Sequence, residues 1–95
     1  MAAAITSETT VTATTSAGDV VATADSSNAE GGTTWEIYNE STTIPALIGG
    51  TGITSALGIP LAPETSKFYF LKSGQVLQCI TASGTAVLRR MKIQN

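Results

Sequence analysis

The stretch that decides the fold is Thr33-Thr34-Trp35-Glu36-Ile37-Tyr38-Asn39-Glu40. Successive side chains of a β-strand point to opposite faces, so a pattern with a period of two predicts a half-buried strand. In this stretch Trp35, Ile37 and Asn39 share one face, which carries the only tryptophan of the chain. Glu36 and Glu40 then lie on the solvent side.

Segments of similar character flank this stretch, and clusters of Gly, Ser and Pro separate them at a spacing of about ten residues. No segment of helical length has a 3.6-residue period. The pattern predicts an all-β fold, a small antiparallel β-sandwich or jelly-roll-like domain. The final three segments, which are joined by short turns, predict an antiparallel meander. The flanking segments are residues 9–15, 20–24, 42–48, 58–62, 67–71, 75–81 and 85–93.

Two sections of the chain depart from this regular pattern. Residues 42–48 contain Pro45, which cannot donate a ladder hydrogen bond, so this strand is predicted to lie at an edge or to carry a bulge. Residues 1–17 are rich in Thr and Ala but have few large apolar side chains, among them Ile5 and Val11. We expect residues 1–17 to form an extended N-terminal arm along a neighbouring surface, and residues 18–95 to form the sandwich.

Charge and hydropathy exclude several classes of partner. The net charge is −2 and 13% of the residues are charged, so the chain lacks the clustered Lys and Arg that neutralise nucleic-acid phosphates. It also lacks an apolar run of the roughly 18 residues that a membrane span needs, and its N-terminus does not resemble a signal peptide. We therefore expect no nucleic-acid or membrane partner and synthesis in the cytoplasm of the producing cell.

The residues that usually carry catalysis or hold cofactors are scarce. The chain has no histidine and one cysteine, Cys79, which lies in an apolar strand pattern and is expected to be a buried, inert thiol. Glu36 and Glu40 would be about 13 Å apart on one strand, which is too far for a retaining glycosidase pair. We predict no enzyme activity, no catalytic residues, no cofactor and no metal.

One loop leaves a metal-binding alternative open. It contains Asp25, Asn28 and Glu30, whose oxygens are of the kind that calcium prefers. The spacing of these residues does not follow a regular calcium motif, so an ordinary solvated loop is the favoured interpretation.

From about Ala22 onward the chain resembles small phage virion proteins of the capsid decoration, or cement, type. The resemblance lies in four signatures that occur in order: Trp35-Glu36-Ile37-Tyr38-Asn39-Glu40-Ser41, Leu47-Ile48-Gly49-Gly50, Gly58-Ile59-Pro60-Leu61-Ala62-Pro63 and Ser83-Gly84-Thr85-Ala86-Val87-Leu88-Arg89. One departure is Glu64, which stands where a glycine usually follows the proline. It predicts a type I rather than a type II turn.

The resemblance implies a structural protein on the capsid surface of a virion. Such subunits bind the outside of the head shell, often as trimers, and bridge neighbouring major capsid proteins. The residues expected at these contacts come from the arm and from the last strand: Ile5, Val11, Arg89, Arg90 and Met91. Arg90 shares a strand face with two apolar residues, and two explanations stay open: a contact with a neighbouring subunit, or a strand end at which the side chain reaches solvent.

Two further functions remain as alternatives. The chain could be a tail, baseplate or fibre component that binds the host surface, with Trp35, Tyr38 and Tyr69 stacking on sugars. A wall hydrolase is the third hypothesis, and it lacks both a histidine and a close pair of carboxylates.

Overall fold

The computed structural model describes residues 4–22 and 32–94, apart from the side chains of 4–9 and 94, and every regular element in these ranges is a β-strand. The all-β prediction is confirmed. The eight strands are β1 (Ala4–Ala13), β2 (Gly18–Val21), β3 (Thr33–Asn39), β4 (Ala46–Gly49), β5 (Ile59–Leu61), β6 (Ser66–Leu71), β7 (Leu77–Ile80) and β8 (Ala86–Gln94).

The strands form two four-stranded antiparallel sheets, in the orders β1-β8-β3-β6 and β2-β7-β4-β5. The pairs β1–β8, β2–β7, β3–β6 and β4–β5 are nested like the rungs of one long hairpin that has been rolled up. The pair β3–β8 joins two of these ladders into the first sheet, and the pair β4–β7 joins the other two into the second sheet. This is the topology of a jelly roll, which is one of the ways in which antiparallel strands limit their exposed edges.

The predicted meander of the last three strands is wrong. β6 pairs with β3, β7 pairs with β2 and β4, and β8 pairs with β1 and β3, so consecutive strands alternate between the two sheets. Stacked sheets are about 10 Å apart, a distance that a connection of five residues spans easily. The short turns at 72–76 and 81–85 therefore cross between the sheets, and turn length alone does not distinguish a crossing from a hairpin.

The prolines occupy positions that do not disturb the ladders. β4 begins one residue after Pro45 and lies inside its sheet, so the predicted edge position of this strand is wrong. Pro60 lies in the middle of β5, which is an edge strand of the second sheet. A proline at an edge costs no ladder bond when its nitrogen faces away from the neighbouring strand.

The N-terminal segment is paired within its own chain. Ala4–Ala13 forms the edge strand β1, which runs antiparallel to β8 with a register shift between Ser7 and Thr10. The structure thus places most of the segment predicted as an arm in the first sheet. The contact of residues 1–17 with a neighbouring surface remains a prediction.

The core lies between the sheets and is built from the inward side chains of each strand. Trp35 and Ile37 are buried, as the alternation in β3 predicted, and the indole nitrogen of Trp35 donates to Oγ1 of Thr33 at 2.9 Å. Cys79 is also buried, in agreement with the prediction. The other buried apolar residues of this cluster are Ala13, Val20, Val21, Ala46, Ile48, Leu61, Leu71, Leu77, Ala86 and Leu88.

Asn39 connects the two sheets at the end of β3. Its side chain is fully buried, and its amide nitrogen donates to the carbonyl oxygens of Ile44 (2.9 Å) and of Leu61 in β5 (3.0 Å). Its amide oxygen accepts a hydrogen bond from the backbone nitrogen of Ser41 at 2.9 Å. One buried amide therefore satisfies three backbone groups, two in the connection between β3 and β4 and one in the opposite sheet.

The turn between β5 and β6 differs from the prediction. Glu64 has a φ of 58°, in the left-handed region, whereas the third residue of a type I turn has a negative φ. The expected type I turn is therefore wrong. The backbone nitrogen of Glu64 donates to the carbonyl oxygen of Asn39 at 2.8 Å, and this bond holds the residue in a conformation that glycine adopts more readily.

Replacing Asn39 by alanine tests the connection between the sheets. The change removes the partners of three backbone groups, so we expect the free energy of unfolding to fall by about 3 kcal/mol. Urea unfolding followed by tryptophan fluorescence measures this loss. Thr42→Ala is the matched control, since Thr42 is exposed in the same connection. Equal stability of the two variants would contradict the role of Asn39.

Candidate functional site

The outer face of the first sheet carries a depression of about 300 Å³. Antiparallel register places Tyr38 opposite both Ser66 and Arg89, and Glu36 opposite Met91. Directly paired residues project to the same side of a sheet, and the neighbours of these residues in β3 are buried, so all five side chains point outward. The depression is lined by Glu36, Tyr38, Ser66, Arg89, Arg90 and Met91.

Polar contacts fix the side chains around this depression. Arg89 donates from Nε to a carboxylate oxygen of Glu40, and the hydroxyl of Ser66 donates to Glu36 at 3.0 Å. The side chain of Arg89 is 67% exposed, so its ion pair adds little to stability. Arg89 lies opposite Tyr38 on the same face of the sheet, and its exposed guanidinium remains open to a partner.

Arg90 lies on the opposite face of the same strand. Its guanidinium carbon is 5.2 Å from the centre of the Trp35 ring, and Nη1 donates to the carbonyl oxygen of Val20 in the second sheet. A cation over an indole ring is attracted by the ring quadrupole. Lys92 approaches the same ring at 5.9 Å. Arg90 therefore joins the two sheets within its own chain, which is neither of the two arrangements that the sequence left open.

The structure separates the five residues predicted at contacts. Arg89, Arg90 and Met91 border the depression on the first sheet, but the side chain of Arg90 points inward, to Trp35 and Val20. Val11 lies opposite Leu88 and packs against the core. Ile5 pairs with Ile93 through the backbone, and its side chain lies outside the described part of the chain.

A second group of exposed apolar residues lies along one side of the sandwich. Phe68 and Phe70 on β6 are 63% and 60% exposed, and Leu57 and Ile59 near β5 are 74% and 62% exposed. β5 and β6 are edge strands of stacked sheets and are joined by four residues, so they border the same side. We call this the β5–β6 side. The sequence does carry a signal for this surface, because residues 68–71 are apolar on both faces of the strand. Phe68 and Phe70 were not identified as surface residues from the sequence.

The described residues offer few groups for chemistry. Glu36 and Glu40 have separate partners, Ser66 and Arg89, and do not form an acid–base pair. Within residues 4–22 and 32–94, no three Asp, Glu, Cys or His side chains gather closely enough to hold a metal ion. The alternative calcium loop with Asp25, Asn28 and Glu30 lies outside the described residues.

The aromatic residues considered for sugar binding are mostly not accessible. Trp35 is 1% exposed and belongs to the core, and Tyr69 packs against that core. Burial raises the pKa of the Tyr69 hydroxyl. Tyr38 is the one of the three that presents its ring on the surface.

Comparisons with known proteins give this chain no family. No protein-family model matches the sequence, and no curated protein is significantly similar to it. In the part of the chain that the structure describes, no helix has the length and hydropathy of a membrane span.

The buried thiol gives a test of the core. Burial, with a smaller contribution from the charge of Asp19, raises the pKa of Cys79 to about 11. The thiol therefore stays protonated and unreactive at pH 8, because the thiolate is the nucleophile. We expect iodoacetamide to modify Cys79 slowly in the native protein and rapidly in urea, as followed by intact mass. Equally fast modification in both states would show that the thiol is accessible.

Proposed function

We propose that this protein is a non-enzymatic structural protein of a bacteriophage virion, and that it acts as a capsid decoration protein. In this role it binds the outside of the head shell and stabilises contacts between major capsid proteins. The four ordered signatures of the sequence support the family, and the jelly-roll topology is compatible with a rigid unit that binds through its surface.

One observation carries the choice of surface: the outer face of the first sheet gathers Tyr38, Arg89 and Met91 around a single depression. An exposed aromatic ring beside an arginine is the composition that protein interfaces favour. Arg89 and Met91 are also residues that the sequence assigned to contacts. This face is therefore the proposed docking face for the major capsid protein.

The alternative is a tail, baseplate or fibre component that binds the host surface. Its carbohydrate-binding form loses support, because two of its three candidate aromatics, Trp35 and Tyr69, pack in or against the core. The family resemblance also implies a homo-oligomer, with a trimer favoured.

Binding to purified head shells that lack this protein tests the proposal. We expect the purified chain to cosediment with shells, and Arg89→Glu to weaken binding by at least about tenfold, since interface arginines often contribute 2 kcal/mol or more. The substitution removes the pair with Glu40 and places a negative charge at the depression. Tyr38→Ser is expected to have a similar effect through loss of its exposed ring.

Lys72→Glu is the matched control, because Lys72 is exposed in the turn after β6 and does not line the depression. The copy number on native particles separates the two locations: hundreds of copies support decoration, and a handful support a tail or connector. Recovery of the chain on tails but not on tailless heads would overturn the proposal.

A further inference from the structure

We propose that two copies of this chain associate through antiparallel pairing of their β6 strands, which joins the two first sheets into one eight-stranded sheet. The pairing stands apart from the proposed function, because it depends only on the geometry of the β5–β6 side.

The four edges of the two described sheets are not equally protected. β1 and β2 each contain a register shift, and β5 contains Pro60. These features are the common ways in which proteins prevent edge-to-edge pairing. β6 has neither, although it carries one lysine, Lys67, and its register with β3 is continuous from Ser66 to Leu71. β6 is therefore the one described edge that remains suited to pairing.

The backbone bonds at the end of β3 show which groups of β6 face the edge. The nitrogen of Asn39 donates to the carbonyl oxygen of Thr65, so this pair is hydrogen-bonded. Bonded and non-bonded pairs alternate in an antiparallel ladder, so Lys67 and Tyr69 bond to β3. The N–H and C=O groups of the alternate residues point to the edge, and these residues are Ser66, Phe68 and Phe70.

A second copy of β6 fits these groups in one register. If a twofold axis passes beside Phe68, Phe68 lies opposite its own copy and Ser66 lies opposite Phe70 of the partner. All edge-facing groups are then paired by about six backbone hydrogen bonds. Lys67, the only charge on the strand, lies opposite the partner's Tyr69 and not opposite another lysine. The strand is thus complementary to itself in both bonding and charge.

The exposed residues of the second sheet favour a second copy of the chain, rather than a single extended peptide, as the partner of β6. A lone peptide strand added to β6 would leave Leu57 and Ile59 exposed, because these residues lie along the other sheet of the same side. A second copy presents the same side and covers both layers. The four apolar side chains expose on the order of 500 Å² per copy. Phe68 and Phe70 stand on the outer face of the first sheet, so pairing covers them only in part. A standard interface takes about 800 Å² from each partner. We therefore expect a reversible, concentration-dependent dimer.

A twofold axis perpendicular to the sheet has one consequence that does rest on the proposed function. It keeps the outer faces of both first sheets on the same side of the pair. Two docking faces then point toward one shell, and binding of the first raises the effective concentration of the second.

Sedimentation velocity over a concentration series, together with cysteine crosslinking, tests the pairing. We expect the unmodified chain to pass from monomer to dimer, and Phe68→Lys to weaken the dimer by at least about tenfold because it places charges against each other across the axis. Val87→Lys is the matched control, since Val87 is exposed on β8 away from this edge. A chain that stays monomeric throughout, or an equal effect of the two lysine variants, would overturn the proposal.

Crosslinking determines the register. Opposed Cα atoms in a bonded antiparallel pair are about 5.5 Å apart, within the range that a disulfide bridges. Oxidised glutathione should therefore convert Phe68→Cys to a covalent dimer, and Phe70→Cys only when it is mixed with Ser66→Cys. Cys79 is buried and should not contribute. Equal crosslinking of Phe68→Cys and Phe70→Cys alone would overturn the pairing.

The association of two copies can be measured independently of binding to head shells. A dimer that does not bind head shells supports this pairing and contradicts the proposed function. A monomer that decorates shells gives the reverse result.

Discussion

The side chain of Asn39 joins the two sheets and the connection between β3 and β4 through buried hydrogen bonds. It extends from the first sheet, bonds to the carbonyl oxygen of Leu61 in the second, and satisfies two groups in the connection that leads to β4. A buried amide with every partner present is stable, whereas the same group with one partner missing is costly. The spacing of β3 and β5 and the path of the intervening chain are therefore fixed by a single residue.

Arg90 provides a second connection at another point of the sandwich. Its guanidinium stacks on Trp35 and donates to Val20, so it joins β8 to the second sheet. The long side chain covers the tryptophan with its charged end, while the strand partner Ile37 fills the core. Asn39 and Arg90 both lie on the inward face of the first sheet, and both use polar groups to bind backbone carbonyls of the second.

The nested pairing also explains how the surface is divided. The two described sheets have four edge strands, and three of these strands are irregular or contain a proline. The exposed large apolar residues Phe68, Phe70, Leu57 and Ile59 gather on the side of the fourth edge. The outer face of the first sheet carries the depression with Tyr38 and Arg89. The two surfaces adjoin along β6, so one strand serves both the proposed docking face and the proposed pair.

Much of the fold follows from local sequence. The alternation around Trp35 and Ile37 set the faces of β3, because a period of two allows only one assignment of buried side chains. Turn residues at regular spacing located most strands, and the apolar surroundings of Cys79 indicated its burial. Arg89 and Met91 were placed at a surface contact by their position on the last strand, and the structure gathers both at the depression.

The pairing of the strands was decided only by the tertiary structure. A turn of five residues serves a hairpin and a crossing between sheets equally well, so the sequence of β6, β7 and β8 did not distinguish a meander from a jelly roll. The left-handed Glu64 depends on its bond to Asn39, which lies 25 positions earlier in the chain (64 − 39). The exposure of Phe68 and Phe70 likewise follows from the pairing of β6 with β3, which places both residues on the outer face of the first sheet. Local sequence determines which residues form strands, and long-range hydrogen bonding decides which strands become neighbours and which edge stays open.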